Sequence, residues 1–483
     1  MASFENLKDS PPFESQKMSS PRYHDRFPTI QTLFAIKFFL GEIRLATILT
    51  ILLNFSCSKD KIHDSAQSSF YPTMPTSECG LEEYLFQSTE NMGTLLSSQK
   101  RDDLSLSQET IAMLRSTYDL PLPEPQNGIE THYIQYTSQD KGHEVAGTGM
   151  IIFPEGLSNA PVLMWLHPTM GFADECAPTA TGLVGAALPA LFASLGYIVV
   201  APDYLGMSGW TGDSTELHPY VISEPTAILS IDSLRALPHL IDHLDKEISF
   251  DPNRIILWGA SEGGFAALTT DRYFPHYAPE FQTIATLATT PVTDMMALAQ
   301  RGMTDLSDTT GGIVAVQVTM HQWYNSETPL TSMLQPNIAT IVEETMMGSC
   351  DDFGAILTDV QRHTDIFTEN YVTGILADDE RAEPWSCFLK DNSLLDKIPH
   401  VQTSPTYIVT AELDDLAWPL PVHNDIPKLC AQGYQIVHSQ CGNVGHVAGS
   451  LDSLALQWQW LQDRLNGLPL EHACEVSEPI LCE

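Results

Sequence analysis

"RIILWGASEGGFAALTTDRYF", residues 254–274, holds one serine between closely spaced glycines. The residues before it, "RIILW", are apolar and β-prone; those after it, "GGFAALTTDRYF", read as a helix. A strand that runs directly into a helix must reverse sharply at Ser261. Side chains two positions before and two after the serine would collide in such a reversal. Glycine stands at both positions, Gly259 and Gly263. This is the context of a nucleophile elbow, which lifts a serine out at the carboxyl end of a sheet. Its oxygen then lies near a helix amino terminus, whose N–H groups favour developing negative charge. A bare G-x-S-x-G reads equally well as a packing turn; the strand before it and the helix after it favour the elbow.

The same rhythm extends along the chain. "PVLMWLHP" (161–168), "YIVVAPDY" (197–204), "TIATLATTP" (283–291), "PTYIVTAE" (405–412) and "YQIVHSQ" (434–440) are short, nearly continuous apolar runs. Runs apolar on both faces belong to a parallel sheet covered by helices. The segments between them are long enough for helical crossovers, as in "EPTAILSIDSLRALPHLIDHLDKE" (224–247). Upstream, "HYIQYTS" and "VAGTGMIIFP" flank "QDKGHE" and read as an antiparallel hairpin. The expectation is an α/β fold, doubly wound, with a mostly parallel central sheet flanked by helices. Residues 292–404 break the rhythm. "MMALAQRGM" and "TSMLQPNIATIVEETMM" are helical candidates there, and a structureless loop of that size is improbable. This interval predicts a mainly helical inserted cap, whose Met and aromatic side chains either wall a pocket or pack a core.

The expected organisation has six parts. Residues 1–57 are a leader and 58–104 a linker and N-terminal extension; "SLSQETIAMLRSTYDL" (105–120), which follows them, is helical in part. Residues 105–294 form the first part of the core, 295–398 the cap and 399–466 the second part of the core. Residues 467–483 form a tail.

A serine is a poor nucleophile until a base takes its proton and a third group orients that base. "TYIVTAELDDLAWP" (406–419) is a buried strand ending in acids, and Asp414 is favoured over its neighbour Asp415. "GNVGH" (442–446) follows the last long strand and puts His446 on a glycine-rich loop. His438 sits mid-strand and His423 in or near a helix, so both read as structural. The expected oxyanion donors are the backbone N–H of Glu262, after the serine, and that of Thr169, in the loop "HPTMG". Pro168 has no N–H to offer.

The chain carries 23 basic and 61 acidic side chains, a net charge of −38. Such a surface repels nucleic acid and anionic membranes. "LATILTILLNFSC" (45–57) is an uncharged apolar run behind Lys37 and Arg44, too short to span a bilayer but suited to a signal peptide. It resembles a bacterial lipoprotein signal in which Cys57 is lipidated, although Asn54 stands where that pattern has Leu, Val or Ile. The long stretch before the run places the start of translation at Met18 or later. Eight cysteines beyond Cys57 are compatible with disulfides formed after export. Nearest-neighbour pairing would join Cys430 to Cys441 and Cys474 to Cys482. No zinc-spaced Cys/His cluster occurs, so no structural metal is expected.

"LHPTMGFADECAP" (166–178), "PDYLGMSG" (202–209) with "HPY" (218–220), "GASEGG", "AELDD" and "GNVGH" together resemble bacterial α/β-hydrolases related to the secretory lipases. The resemblance covers roughly residues 105–465. It implies an α/β-hydrolase fold with a lid, esterase or lipase activity on a small-molecule or lipid ester, and no cofactor. It carries over as Ser261 nucleophile, His446 base and Asp414 acid, with oxyanion N–H groups from Thr169 and Glu262. Pro168 and Ala411 replace glycines of the family pattern. "HPY" has no role derivable from sequence, and His218 reads as a structural hydrogen-bonder. A serine peptidase or aminopeptidase on the same fold, and a non-catalytic surface lipoprotein, are the alternatives.

Overall fold

A computed structural model describes Cys79 and residues 84–214, 217–348, 350, 360–395 and 404–482. The expected leader, the linker before Cys79 and the lipidation candidate Cys57 lie outside the described residues. Ten described strands form one sheet: β1 (Leu95–Lys100), β2 (Ile129–Asp140), β3 (His143–Pro154), β4 (Val162–Leu166), β5 (Ile198–Pro202), β6 (Ile255–Ala260), β7 (Thr283–Thr289), β8 (Thr406–Ala411), β9 (Ile436–Cys441) and β10 (Pro479–Ile480). Their order is β1-β2-β3-β5-β4-β6-β7-β8-β9-β10. β1, β2, β3 and β5 pair antiparallel; from β5 to β10 every pairing is parallel. The apolar runs read from sequence are the parallel strands, and "QDKGHE" holds the β2–β3 turn at its centre, Lys141–Gly142. β1 was not anticipated. Its "LLSSQK" is half exposed and lacks a two-faced pattern, so its pairing with β2 decides it.

The two faces of the parallel strands separate cleanly. Ile255 and Leu257 of β6 pack with Val162 and Met164 of β4 under helices α3 (Ser223–His243) and α4 (Glu262–Tyr277). Ile256 and Trp258 face the other way, with Leu163 and Trp165, against α2 (Leu183–Ser194) and α13 (Leu454–Leu465). Both sets are buried, which explains why these strands are apolar without alternation. The helix read within residues 105–120 is α1 (Gln108–Thr117), capped by Ser107.

Between β7 and β8 the chain inserts helices rather than a strand. The longest are α5 (Met295–Thr304), α6 (Asp308–Trp323) and α9 (Glu369–Ala377). Shorter ones are α7 (Pro336–Ala339), α8 (Val342–Met347) and α10 (Trp385–Asp391). They pack an apolar core that also takes in Phe172, Tyr220 and Phe265. Met295, Met303, Met320, Met333 and Met346 are buried in it with Trp385 and Phe388, so these methionines fill a core. No helix among the described residues is long and apolar enough to cross a membrane.

The nearest-neighbour cysteine pairing is incorrect. The disulfides are Cys79–Cys387, Cys176–Cys350, Cys430–Cys474 and Cys441–Cys482. Cys430 ends α11 (Pro419–Ala431) close to the start of β9, whereas Cys441 ends β9. The strand between them spans about 20 Å. The C-terminal segment runs parallel to β9. Cys474 donates its N–H to Ile436 O (2.6 Å) at the start of β9, and Ile480 pairs with Cys441 at its end. One cysteine of the tail therefore meets each end of the strand.

Peptide mapping of the unreduced protein is expected to return these four pairs and no Cys430–Cys441 peptide. The double substitution Cys441→Ser/Cys482→Ser should lower unfolding stability by about 2–4 kcal/mol, read from urea midpoints.

Candidate active site

β6 ends at Ala260 and α4 begins at Glu262, which leaves Ser261 alone to reverse the chain. It does so at φ +58° and ψ −120°, a conformation that side-chain-bearing residues rarely adopt. Two backbone bonds hold it there: Ser261 N–H donates to Thr289 O (2.8 Å) and Phe265 N–H to Ser261 O (3.0 Å). The glycine spacing has the expected cause. A Cβ on Gly259 would lie 2.0 Å from Gly263 O, and one on Gly263 2.0 Å from Leu166 O. A serine at an N-cap ordinarily accepts a hydrogen bond from the first turn of its helix. Ser261 makes no such bond. Its Oγ instead lies 2.7 Å from His446 Nε2.

His446 opens α12 (His446–Asp452), in the loop that follows β9. Its Nδ1 lies 2.8 Å from Asp414 Oδ2. Asp414 is buried, and its Oδ1 accepts N–H bonds from Leu416 (3.0 Å) and Ala417 (2.7 Å). With the carboxylate accepting throughout, the imidazole carries its proton on Nδ1 and offers Nε2 to the serine hydroxyl. The neighbouring alternative, Asp415, has an exposed side chain, and only its carbonyl is engaged, by the Thr309 hydroxyl. The acid and histidine loops are tied together: Leu413 N–H donates to Val444 O (2.9 Å) and Glu412 N–H to Cys441 O (2.9 Å). The methyl of Ala411, a departure from the family glycine, lies against Gly449 of α12, where a Cβ would come within 2.5 Å of it.

All of these groups stand at the carboxyl ends of parallel strands, where open α/β sheets place their sites. Thr169 belongs to the loop after β4. Its Oγ1 lies 2.9 Å from Tyr220 Oη. The Glu262 N–H belongs to the first turn of α4, whose first N–H groups have no partner within the helix. The Glu262 side chain is buried, with Oε1 2.6 Å from His218 Nε2. His218 is the structural hydrogen-bonder the sequence suggests, and its partner, the Glu262 carboxylate, has no local pattern that names it. Beside them His167 is buried and stacked on Tyr204, with ring centroids 4.0 Å apart. Its Nδ1–H donates to Pro168 O (2.8 Å), and burial holds the ring neutral by pushing its pKa down to about 4. Among the described residues no group of three or more His, Cys, Asp and Glu is placed to hold a metal ion.

The two rejected histidines lie elsewhere. His423 is in α11. His438 is buried within β9, accepting Ser477 N–H at Nδ1 (3.1 Å) and facing Thr410 Oγ1 with Nε2 (3.0 Å). Burial, and then the nearby His423, push its pKa down to about 3.

The secretory lipase family model matches residues 177–473, more than half of the chain. Several solved structures share the fold. The rice cell wall degrading esterase LipA from Xanthomonas oryzae has a TM-score of 0.65 at 20% identity, covering 78% of this chain and 99% of that one. A putative hydrolase from Legionella pneumophila has a TM-score of 0.67 at 19% identity, covering 78% and 100%. Candida antarctica lipase A has a TM-score of 0.61 at 15% identity, covering 86% and 89%. Comparison with curated proteins gives no match.

The neutral His438 has a measurable consequence. Its native pKa lies below the ordinary value, so its contribution to stability is present above about pH 6.5 and is lost as pH falls towards 3. Over pH 7 to 4.5 the unfolded chain takes up a proton that the native ring refuses. His438→Gln should therefore shrink the loss of stability across that interval by about 2.5 kcal/mol, measured by urea unfolding at both pH values.

Proposed function

Since the chain belongs to the secretory lipase family and is a carboxylic ester hydrolase, we propose that it works through an acyl-enzyme on Ser261. The observation that carries this reading is His446, with Ser261 Oγ 2.7 Å from one ring nitrogen and Asp414 Oδ2 2.8 Å from the other. Ser261 attacks the ester carbonyl as His446 Nε2 takes its proton. Asp414 steadies the imidazolium through Nδ1. The Thr169 and Glu262 N–H groups hold the tetrahedral oxyanion. Collapse expels the alcohol, which leaves with the proton from His446. Water then attacks the acyl-enzyme by the same route in reverse, and the acid is released.

The helices inserted between β7 and β8 fit the expected cap, residues 295–398. Thr309, in the first turn of α6, bonds the Asp415 carbonyl on the acid loop, so the insertion reaches the rim of the site. Ester hydrolysis needs no metal or cofactor from this set of groups. The family and the four disulfides point to export. We read residues 45–57 as its signal and Cys57 as a candidate lipid attachment.

A fluorophosphonate probe should label the folded protein once, and Ser261→Ala should abolish the label. His446→Gln should lower turnover of p-nitrophenyl butyrate by about 10³-fold or more. Undiminished label on Ser261→Ala would sink the assignment, and faster turnover of aminoacyl-nitroanilides than of esters would favour a peptidase. Metabolic palmitate labelling should disappear in Cys57→Ser; label that persists would place the lipid elsewhere.

A further inference from the structure

The segment His218–Tyr220 reaches the side chains of both residues whose backbone N–H groups are assigned to the oxyanion, from one short stretch of chain. His218 contacts the side chain of Glu262, and Tyr220 contacts the side chain of Thr169. The segment is itself docked on the loop that carries Thr169. His218 N–H donates to Phe172 O (3.0 Å), and the Tyr220 ring meets Phe172 edge-on at 5.4 Å. We propose that His218 and Tyr220 are positioning residues that hold the two halves of the oxyanion hole in register. This rests on the assignment of the Thr169 and Glu262 N–H groups as oxyanion donors.

The Glu262 half depends on where a proton can go. A carbonyl only accepts, so His218 Nδ1, 2.8 Å from Leu205 O, carries a hydrogen. Nε2 then shares one further proton with Glu262 Oε1 across 2.6 Å. Whichever atom holds it, the pair has no net charge. The side chains of both residues are only 1% exposed, so water does little to screen either. Without His218, a buried carboxylate would stand on the residue next to the nucleophile and oppose the oxyanion. With it, the side chain is neutralised and fixed. The Tyr204 ring, stacked 5.4 Å from His218, walls the imidazole on one face. The peptide that carries the Glu262 N–H is already held on its carbonyl side by the Phe265 N–H (3.0 Å), and the pinned Glu262 side chain adds a second anchor on the other side.

The Thr169 half is simpler. Thr169 follows a proline in a loop, with no helix to direct its N–H. The Tyr220 hydroxyl, 2.9 Å from Thr169 Oγ1, fixes the side chain and with it the Cα. An oxyanion hole works because its donors do not reorganise as charge develops. Both donors here lean on the same segment, so they move together or not at all.

Three substitutions test this in the full-length protein: Tyr220→Phe, Glu262→Ala and Glu262→Gln. Tyr220→Phe deletes one hydroxyl and keeps the ring against Phe172. It should lower kcat about 10-fold, less than outright loss of a donor, with KM within about twofold. The rate constant for phosphonylation, which also places an oxygen in the hole, should fall by a similar factor. Glu262→Ala should do the same or more. Glu262→Gln keeps a neutral donor to His218 Nε2 and should lose several-fold less kcat than Glu262→Ala. Labelling should still reach one fluorophosphonate per chain in each variant, which separates a loose hole from a wrong nucleophile. Wild-type kcat and phosphonylation in Tyr220→Phe would overturn the proposal, as would a loss carried by KM alone. So would a folded Glu262→Gln as impaired as a folded Glu262→Ala. If Glu262→Ala does not fold, Tyr220→Phe decides by itself.

Discussion

The site depends on one steric constraint, the reversal of the chain at Ser261. Strand β6 and helix α4 come so close there that Gly259 and Gly263 admit no Cβ, and Ser261 is forced to positive φ. That conformation denies the serine its ordinary capping bond and turns its hydroxyl outward. The strain is held by neighbours on both sides. Thr289 O, at the end of β7, takes the Ser261 N–H, and Leu166, at the end of β4, presses against the turn. The central strands thus hold Ser261 rigidly, as the proposed nucleophile requires.

The partners of the serine arrive by a different route. Asp414 and His446 sit in loops after β8 and β9, adjacent parallel strands, so two residues far apart in sequence leave the sheet side by side. Backbone bonds between those loops set their spacing before any side chain is considered. Asp414 spends one oxygen on two N–H groups of its own turn and the other on His446, which leaves it a single useful orientation. Cys441–Cys482 reinforces the same edge by clamping the end of β9, five residues before His446. Away from that edge, Cys176–Cys350 joins the segment after β4 to the inserted helices.

Charge enters in two ways. The chain is strongly acidic overall, yet buried acids near the site are individually compensated: Asp414 by N–H donors and His446, Glu262 by His218. The buried histidines are treated in the opposite sense. His167 and His438 are held neutral by burial, and His438 further by the nearby His423. Among the described residues, a surplus of imidazoles therefore resolves into a single ring, His446, whose two nitrogens face a serine and a carboxylate.

The sequence by itself determined the fold class, the parallel strands, the elbow and the order of serine, acid and histidine along the chain. These are local properties: apolar runs of strand length, glycines at fixed offsets from one serine, and polar residues at strand ends. Other features were decided only in three dimensions. The preference for Asp414 over Asp415 was legible in the sequence, but its physical reason, that the turn buries one side chain and exposes the other, was not. The disulfide pairing turned on the direction of the C-terminal segment along β9, and β1 on an edge that β2 offers. The bond between Glu262 and His218 crosses from the elbow to a loop after β5, and neither residue carries a local pattern that names the other. Periodicity records which face of its own element a residue occupies. Contacts between elements depend on strand order and loop path, and those are set by the packing of the whole sheet.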